Sequence, residues 1–277
     1  MNRFLYSLVL YFSIPFAIFR LLIKDTHDAS WTRKLKNQFG IVEKIPGRVI
    51  WTHCVSVGEF NASKPLIEKL MIQYPNHQII ISTTTITGFN AVNNYYKNNV
   101  KHCFFPFDIP FILDSFIRKI NPEICILLET EIWPNLIHIL KKKNIPTALI
   151  NARLSDKSFQ RYDKYLSKLV KASLNNLSLI CAQNSFSSDR FISLGANQEK
   201  MITTGSLKFD SDNTIDDKSI KTLKKIIGDR KITVFASTRE GEEKQIIKSY
   251  INSADNINSL LIIIPRHPER FNEVFKL

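Results

Sequence analysis

Short, continuous apolar runs rich in β-branched residues recur along the chain at 48–57 (RVIWTHCVSV), 78–84, 101–105, 123–128, 146–150, 178–182 and 201–204. Between them lie stretches with a helical period, among them 65–74 (PLIEKLMIQY), 110–120 (PFILDSFIRKI) and 134–143 (PNLIHILKKK). Strands apolar on both faces, alternating with amphipathic helices, predict a parallel sheet covered on both sides. Pro65, Pro110 and Pro134 each fall near an expected helix start, where a missing N–H costs little. From 211 to 229 the chain turns polar, which predicts a hinge followed by a linking helix. The alternation then restarts, with strands at 232–238 and 260–265 and helices from about 241 and from the RHPERFNEV stretch. The expected class is therefore α/β. A doubly wound, Rossmann-like domain should span 31–210, a linker 211–229, and the start of a second such domain 230–277. Two strands are fewer than a doubly wound domain of on the order of 100 residues requires, so the second domain is expected to be incomplete.

Residues 4–23 (FLYSLVLYFSIPFAIFRLLI) break this pattern with a run of apolar residues interrupted by Ser7, Ser13, Pro15 and Arg20. As a helix it would be about 30 Å long, enough to cross a hydrocarbon core. We expect residues 1–24 to be an N-terminal membrane-anchor helix, with spanning preferred and an in-plane interfacial helix left open by Pro15 and Arg20. Lys24, Arg33, Lys34 and Lys36 follow the run against Arg3 before it, which places the remainder on the cytoplasmic side. Lys and Arg together number 38 against 25 Asp and Glu, a net charge of +13. That balance suits anionic partners, such as acidic headgroups or phosphorylated substrates. No compact basic block with interleaved aromatics occurs, so nucleic acid is not an expected partner. Cys54, Cys103, Cys125 and Cys181 form no C-x-x-C pair and sit in apolar runs, which predicts four buried thiols.

Chemistry in open α/β sheets gathers beyond the carboxyl ends of the strands. Glu59 follows the first strand, with Gly58 expected to turn the backbone and Asn61-Ala62-Ser63 to cap the next helix. It could take a proton from an incoming hydroxyl or merely complement a helix N-terminus; position alone does not choose. In LLETEIWPN, Glu129 and Glu131 close the fourth strand two residues apart, so both could converge on one crevice. Lys208 in GSLKFD would suit a phosphate or another negative charge, and Arg266 in PRHPER would suit an anion at a helix start. Asp210-Ser211-Asp212 spells D-x-D in a polar stretch and is given little weight as a metal site. His53 and His102 lack zinc-ligand spacing and read as packed or capping residues. TTTITGFN lacks the dinucleotide G-x-G-x-x-G, and no G-x-S-x-G elbow occurs.

Taken in order, HCVSVGEFNASKPLI, FFPFDIP, LLETEIWPNLI, NARLSDKSF, GSLKFD, ASTREGEE and IIPRHPERF resemble the 3-deoxy-D-manno-octulosonic acid (Kdo) transferases of Gram-negative bacteria. The resemblance implies a GT-B fold and transfer of Kdo from CMP-Kdo to a phosphorylated lipid A precursor at the cytoplasmic face of the inner membrane. It implies an anionic membrane surface as a partner, and neither a metal nor a cofactor. Glu59 matches the family's general base, and Glu129 and Lys208 match transition-state stabilisers. Pro265 and Arg266 match part of the CMP site, and Glu131 is kept as an accessory substrate contact. ASTREGEE carries Arg239 where the family usually has His. The family also continues past PRHPERF with Gly-rich segments, a G-G-S run and a later G-G-H-N, that this sequence does not contain. The alternative expectation is thus a non-catalytic, membrane-anchored remnant that binds the lipid A precursor at most.

Overall fold

The computed structural model describes residues 1–23, 29–210, 217–253 and 258–277. It divides into two units, Met1–Asp212 and Asn213–Leu277. The first unit carries seven strands: β1 (Arg48–His53), β2 (His77–Thr83), β3 (Lys101–Phe104), β4 (Ile124–Leu128), β5 (Thr147–Ala152), β6 (Leu179–Ala182) and β7 (Met201–Thr203). Its helices are α1 (Arg3–Ile23), α2 (Ala29–Gln38), α3 (Val57–Gln73), α4 (Ile86–Tyr96), α5 (Pro110–Ile120), α6 (Pro134–Lys142), α7 (Asp156–Arg161), α8 (Ser167–Asn176) and α9 (Ser185–Ser193). All seven strands are parallel, in the order β3-β2-β1-β4-β5-β6-β7.

The continuous apolar runs follow from burial on both faces. Val49, Trp51, Ile80, Leu127 and Leu149 share one core with residues of α5, α6 and α8. Their neighbours Ile50, Ile79, Ile81 and Ile126 face the other way, into a core with residues of α3 and α4. The chain winds outward from β1 to β3, then returns to the far side of β1 and winds out again from β4. The β1–β4 boundary is therefore the switch point of the sheet, where a crevice opens above the carboxyl ends. At the β3 edge, α2 takes the place of a further strand. Asn37 Oδ1 accepts the Phe104 N–H at 3.0 Å, and Arg33 donates to the His102 carbonyl at 2.7 Å. These bonds blunt an otherwise open edge.

Two expectations about β1 and its helix are corrected. The strand ends at His53 rather than at 57, and α3 begins at Val57, which leaves Pro65 inside the helix instead of at its start. The backbone turns over 54–56, because the Val55 N–H is taken by the Glu59 carboxylate at 2.7 Å and its carbonyl by the Thr84 hydroxyl at 2.9 Å. Gly58 and Asn61-Ala62-Ser63 are consequently helical and cap nothing; Ser63 Oγ donates to the Phe60 carbonyl within α3. Asn61, whose carbonyl Pro65 leaves free, is exposed. Pro110 and Pro134 do open α5 and α6.

The expected membrane anchor, residues 1–24, takes in α1, and its last residue lies outside the described residues. Among the described residues, no helix is long and apolar enough to cross a membrane. The first half of α1 packs against the unit through Tyr6, Ser7, Leu10 and Ile14, a helical stripe. Tyr6 donates its phenol proton to Asp108 at 2.9 Å, and Ser7 donates to Asn135 Oδ1 at 3.0 Å. Asp108, 4% exposed, also accepts the backbone N–H groups of Asn135 and Leu136 at 3.1 and 2.8 Å, at the start of α6. All four cysteines are buried free thiols.

The second unit contains α10 (Asp217–Ile227), β8 (Lys231–Thr238), α11 (Glu242–Ile251), β9 (Ser259–Pro265) and α12 (Phe271–Phe275). β8 and β9 pair in parallel, and α10 falls within 211–229, the stretch expected to be a hinge and linking helix, but belongs to this second unit. Glu243 on α11 receives two N–H bonds from Arg270 at 2.9 and 3.0 Å, closing the unit beyond β9. The first residues of the expected hinge, 211–216, and with them Ser211 and Asp212 of the D-x-D, lie outside the described residues.

Candidate active site

The β1–β4 boundary brings together acids that are far apart in sequence. Glu59 lies in the first turn of α3, just past β1, and Glu129 follows β4 directly. Because β1 and β4 are hydrogen-bonded neighbours, the two carboxylates and Glu131 stand over one crevice. Glu59 is half-buried, and its carboxyl is pushed up from an ordinary 4.5 to about 7. Burial is the main cause; the negative charges of Glu131 and Glu129 add to it, while the bond from Val55 N–H opposes it. A carboxyl poised near neutrality is what a general base working at cellular pH requires.

Glu129 sits in the left-handed region with φ at 55°, a conformation that costs a residue with a side chain free energy. Its N–H is held by the Ile150 carbonyl at 3.0 Å. On the following residue, Thr130 donates its hydroxyl proton to the Arg153 carbonyl. The strained turn is therefore clamped to β5 and its exit. Glu131 accepts the Trp133 indole N–H at 2.7 Å, which turns it along the crevice wall. Simple complementation of a helix N-terminus accounts for the bond of Glu59 to Val55 but not for the two acids facing it.

Lys208 lies in a short 3-10 turn, Leu207–Phe209, that packs against α3, the helix opened by Glu59. Its side chain is exposed. Leu207 anchors the turn by packing on the α3–α4 core, and its N–H donates to Asn151 Oδ1 at 3.1 Å. The structure thus brings Glu59, Glu129, Glu131 and the Lys208 turn to one sheet edge. Pro265 and Arg266 belong to the second unit, at the carboxyl end of β9. There the Arg266 N–H donates to the Thr238 carbonyl at 3.1 Å and the Arg266 side chain is exposed. Arg239, also exposed, donates its N–H to Glu242 at 2.7 Å.

Three residues at the first-unit edge have no functional role in the sequence expectations. His53, expected to be a packed or capping residue, is fully buried and stacks on Phe105 at 3.9 Å, and its Nε2 stands 3.7 Å from Glu131 Oε2 without a hydrogen bond. Its Nδ1 lies 3.0 Å from the Ser82 hydroxyl, which accepts the Trp51 indole N–H at 2.8 Å. Asn151, also at positive φ (56°), is buried and ties the Lys208 turn to β5. Tyr162 lies close enough to Glu131 for that charge, added to burial, to raise its phenol pKa. The NARLSDKSF stretch contains Asn151, and its place straight after an apolar strand was the available signal. Nothing in the sequence ties Tyr162 to Glu131.

Residues 33–211 match the family pattern described as 3-deoxy-D-manno-octulosonic-acid transferase. The chain belongs to the Kdo transferase family. Over its whole length it is 38% identical to the 3-deoxy-D-manno-octulosonic acid transferase of Haemophilus influenzae, of which it spans 66%. Over 95% of its length it is 35% identical to a bifunctional glycosyltransferase/methyltransferase of Fusobacterium nucleatum, spanning 41% of that protein. Among solved structures, the UDP-GlcNAc 2-epimerase of Neisseria meningitidis bound to UDP-GlcNAc aligns with 83% of this Kdo transferase-family chain and 67% of its own, at a TM-score of 0.57 and 14% identity. The S. aureus MnaA–UDP complex aligns with 83% and 65%, at 0.56 and 17%. These likenesses carry the fold, of the GT-B kind, and nothing about the reaction.

Proposed function

We propose that this chain carries the acceptor-side catalytic machinery of an inverting glycosyltransferase that moves Kdo from CMP-Kdo to a phosphorylated lipid A precursor. The observation that carries the reading is Glu59, a half-buried carboxyl raised to about 7 beside two facing carboxylates at the sheet's switch point. In the reaction an acceptor hydroxyl oxygen attacks the anomeric carbon of Kdo while Glu59 takes the hydroxyl proton. The bond from that carbon to the phosphate oxygen breaks, and CMP leaves with the electron pair. Positive charge that develops at the anomeric carbon is stabilised by Glu129. Lys208 balances the phosphate or the Kdo carboxylate, Pro265 and Arg266 hold the cytidine monophosphate, and Glu131 orients the acceptor.

We also propose that the protein works at the cytoplasmic face of an inner membrane, with α1 lying in the interface. Its outward residues Phe4, Val9 and Phe12 are 76%, 54% and 77% exposed, while its polar contacts fasten it to the first unit. Such a helix lays an apolar face on the headgroup boundary, and the +13 net charge suits an anionic surface.

Single-turnover Kdo transfer tests the catalytic reading, with purified protein in detergent, CMP-Kdo and a labelled bisphosphorylated lipid A precursor. Transfer by the wild type, with a loss of on the order of 100-fold or more in Glu59→Gln, is the expected result. Equal rates in both proteins would overturn the assignment of Glu59.

A further inference from the structure

At the end of the sheet opposite the catalytic edge lies a cleft of about 920 Å³, within the size range of small-molecule sites. Ile80 on β2, Cys103 on β3 and Ile120 at the end of α5 close its base as buried core residues, and the apolar surface it presents is the wall of half-buried Val42 and Ile45 on the 41–46 segment. That segment is held in place at both ends. The Ile45 N–H donates to the Lys119 carbonyl at 3.0 Å. Gly40, at a φ of 74°, sits so close to α5 that a Cβ would meet the Ile112 carbonyl oxygen at 2.7 Å.

The rim is cationic. Lys36 from α2, Lys44 from the wall and Lys101 from the start of β3 are all exposed, and among the described residues no ion pair involves them. Arg33 adds a fourth positive charge; its bond goes to the neutral His102 carbonyl, and among the described residues no carboxylate pairs with it. Among the described residues Glu43 is the one carboxylate lining the cleft, against four positive charges. β2, running from this end to the crevice, has seven residues, about 20 Å at the usual rise of a strand.

We propose that this cleft is a second ligand site, separate from the catalytic edge, that takes one molecule of a single-chain anionic amphiphile. The alkyl chain lies against Val42 and Ile45, and the phosphate or carboxylate head rests among Lys36, Lys44 and Lys101. An apolar wall alone would accept any hydrophobe, and a lysine rim alone any anion. The juxtaposition selects molecules that are both.

The test is calorimetric titration of the full chain with dodecyl phosphate below its micelle concentration, with dodecyl maltoside and inorganic phosphate as separate titrants. Saturable one-to-one binding of dodecyl phosphate, at least tenfold tighter than either control, is expected. It should weaken at least tenfold in Lys36→Gln/Lys44→Gln/Lys101→Gln, whose exposed positions leave the melting temperature unchanged. It should also weaken in Ile41→Trp, a substitution at an exposed lining residue that places bulk over the mouth. Glu59→Gln should bind as the wild type does, which separates this site from the lipid-acceptor function proposed for the catalytic edge. Three results would overturn the proposal: maltoside binding as tightly as the phosphate ester, inorganic phosphate binding equally well, or the triple variant retaining wild-type affinity.

Discussion

Replacing Glu59 by Gln should make the protein more stable at alkaline pH while removing its proposed function. In the folded chain the carboxyl titrates at about 7, against an ordinary 4.5. A folded state that holds the proton more tightly gains stability from the neutral acid. That gain is complete below pH 4.5 and is lost as pH rises through 7. At about 1.4 kcal/mol per pH unit the ceiling is roughly 3.4 kcal/mol. Partial exposure of the group screens much of it, leaving about 1–2 kcal/mol. Gln is neutral at every pH and can still accept the Val55 N–H, so the variant escapes the loss. Urea unfolding of both proteins at pH 5 and pH 8, followed by far-UV circular dichroism, measures the effect. The variant's advantage should grow from about 0.5 kcal/mol at pH 5, where the unfolded carboxyl is already mostly ionised, to about 1–2 kcal/mol at pH 8, the latter equivalent to a rise of roughly 3–6 °C in Tm. An advantage independent of pH, or a variant less stable at pH 8 than at pH 5 relative to wild type, would refute the claim that burial and the facing acids strain this carboxylate.

Single-turnover transfer should rise with pH up to about 7 and then level off, as Glu59 gives up its proton; a flat profile between pH 5.5 and 8 would remove it as the base. Glu129→Gly should relieve the positive φ and stabilise the first unit by about 1 kcal/mol while abolishing transfer, read by chemical unfolding beside the activity assay. Asn151→Ala loses the bond to the Leu207 N–H and puts Ala at a φ of 56°. It should cost about 1–3 kcal/mol and speed hydrogen exchange at residues 206–209 before the rest of the unit. Asp108→Ala leaves the N–H groups of Asn135 and Leu136 and the Tyr6 hydroxyl without their acceptor. Limited proteolysis should then release α1 ahead of the sheet, with about 2–4 kcal/mol lost in unfolding.

The strands, their parallel pairing and the helices between them follow from periodicity alone, because a run such as Ile79-Ile80-Ile81 has to be apolar on both sides to lie inside a covered sheet. Local sequence failed where a side chain overrides it. β1 stops at His53 because the Glu59 carboxylate binds the Val55 N–H, a contact that no propensity encodes. The apolar N-terminal run was legible as a helix. That its first half would be fastened to the unit was not, since Asp108 and Asn135, which hold Tyr6 and Ser7, lie about a hundred residues further on.

The same division holds at the site. Sequence determined which acids end strands, and an ordered set of motifs named the family. Only the tertiary structure decided that Glu59 and Glu129, 70 residues apart, share a crevice, because β4 returns to pair with β1 at the point where the winding reverses. That proximity, together with burial, is what shifts the Glu59 carboxyl toward neutrality. A charge–charge interaction depends on distance through space, and strand order sets that distance where sequence separation does not.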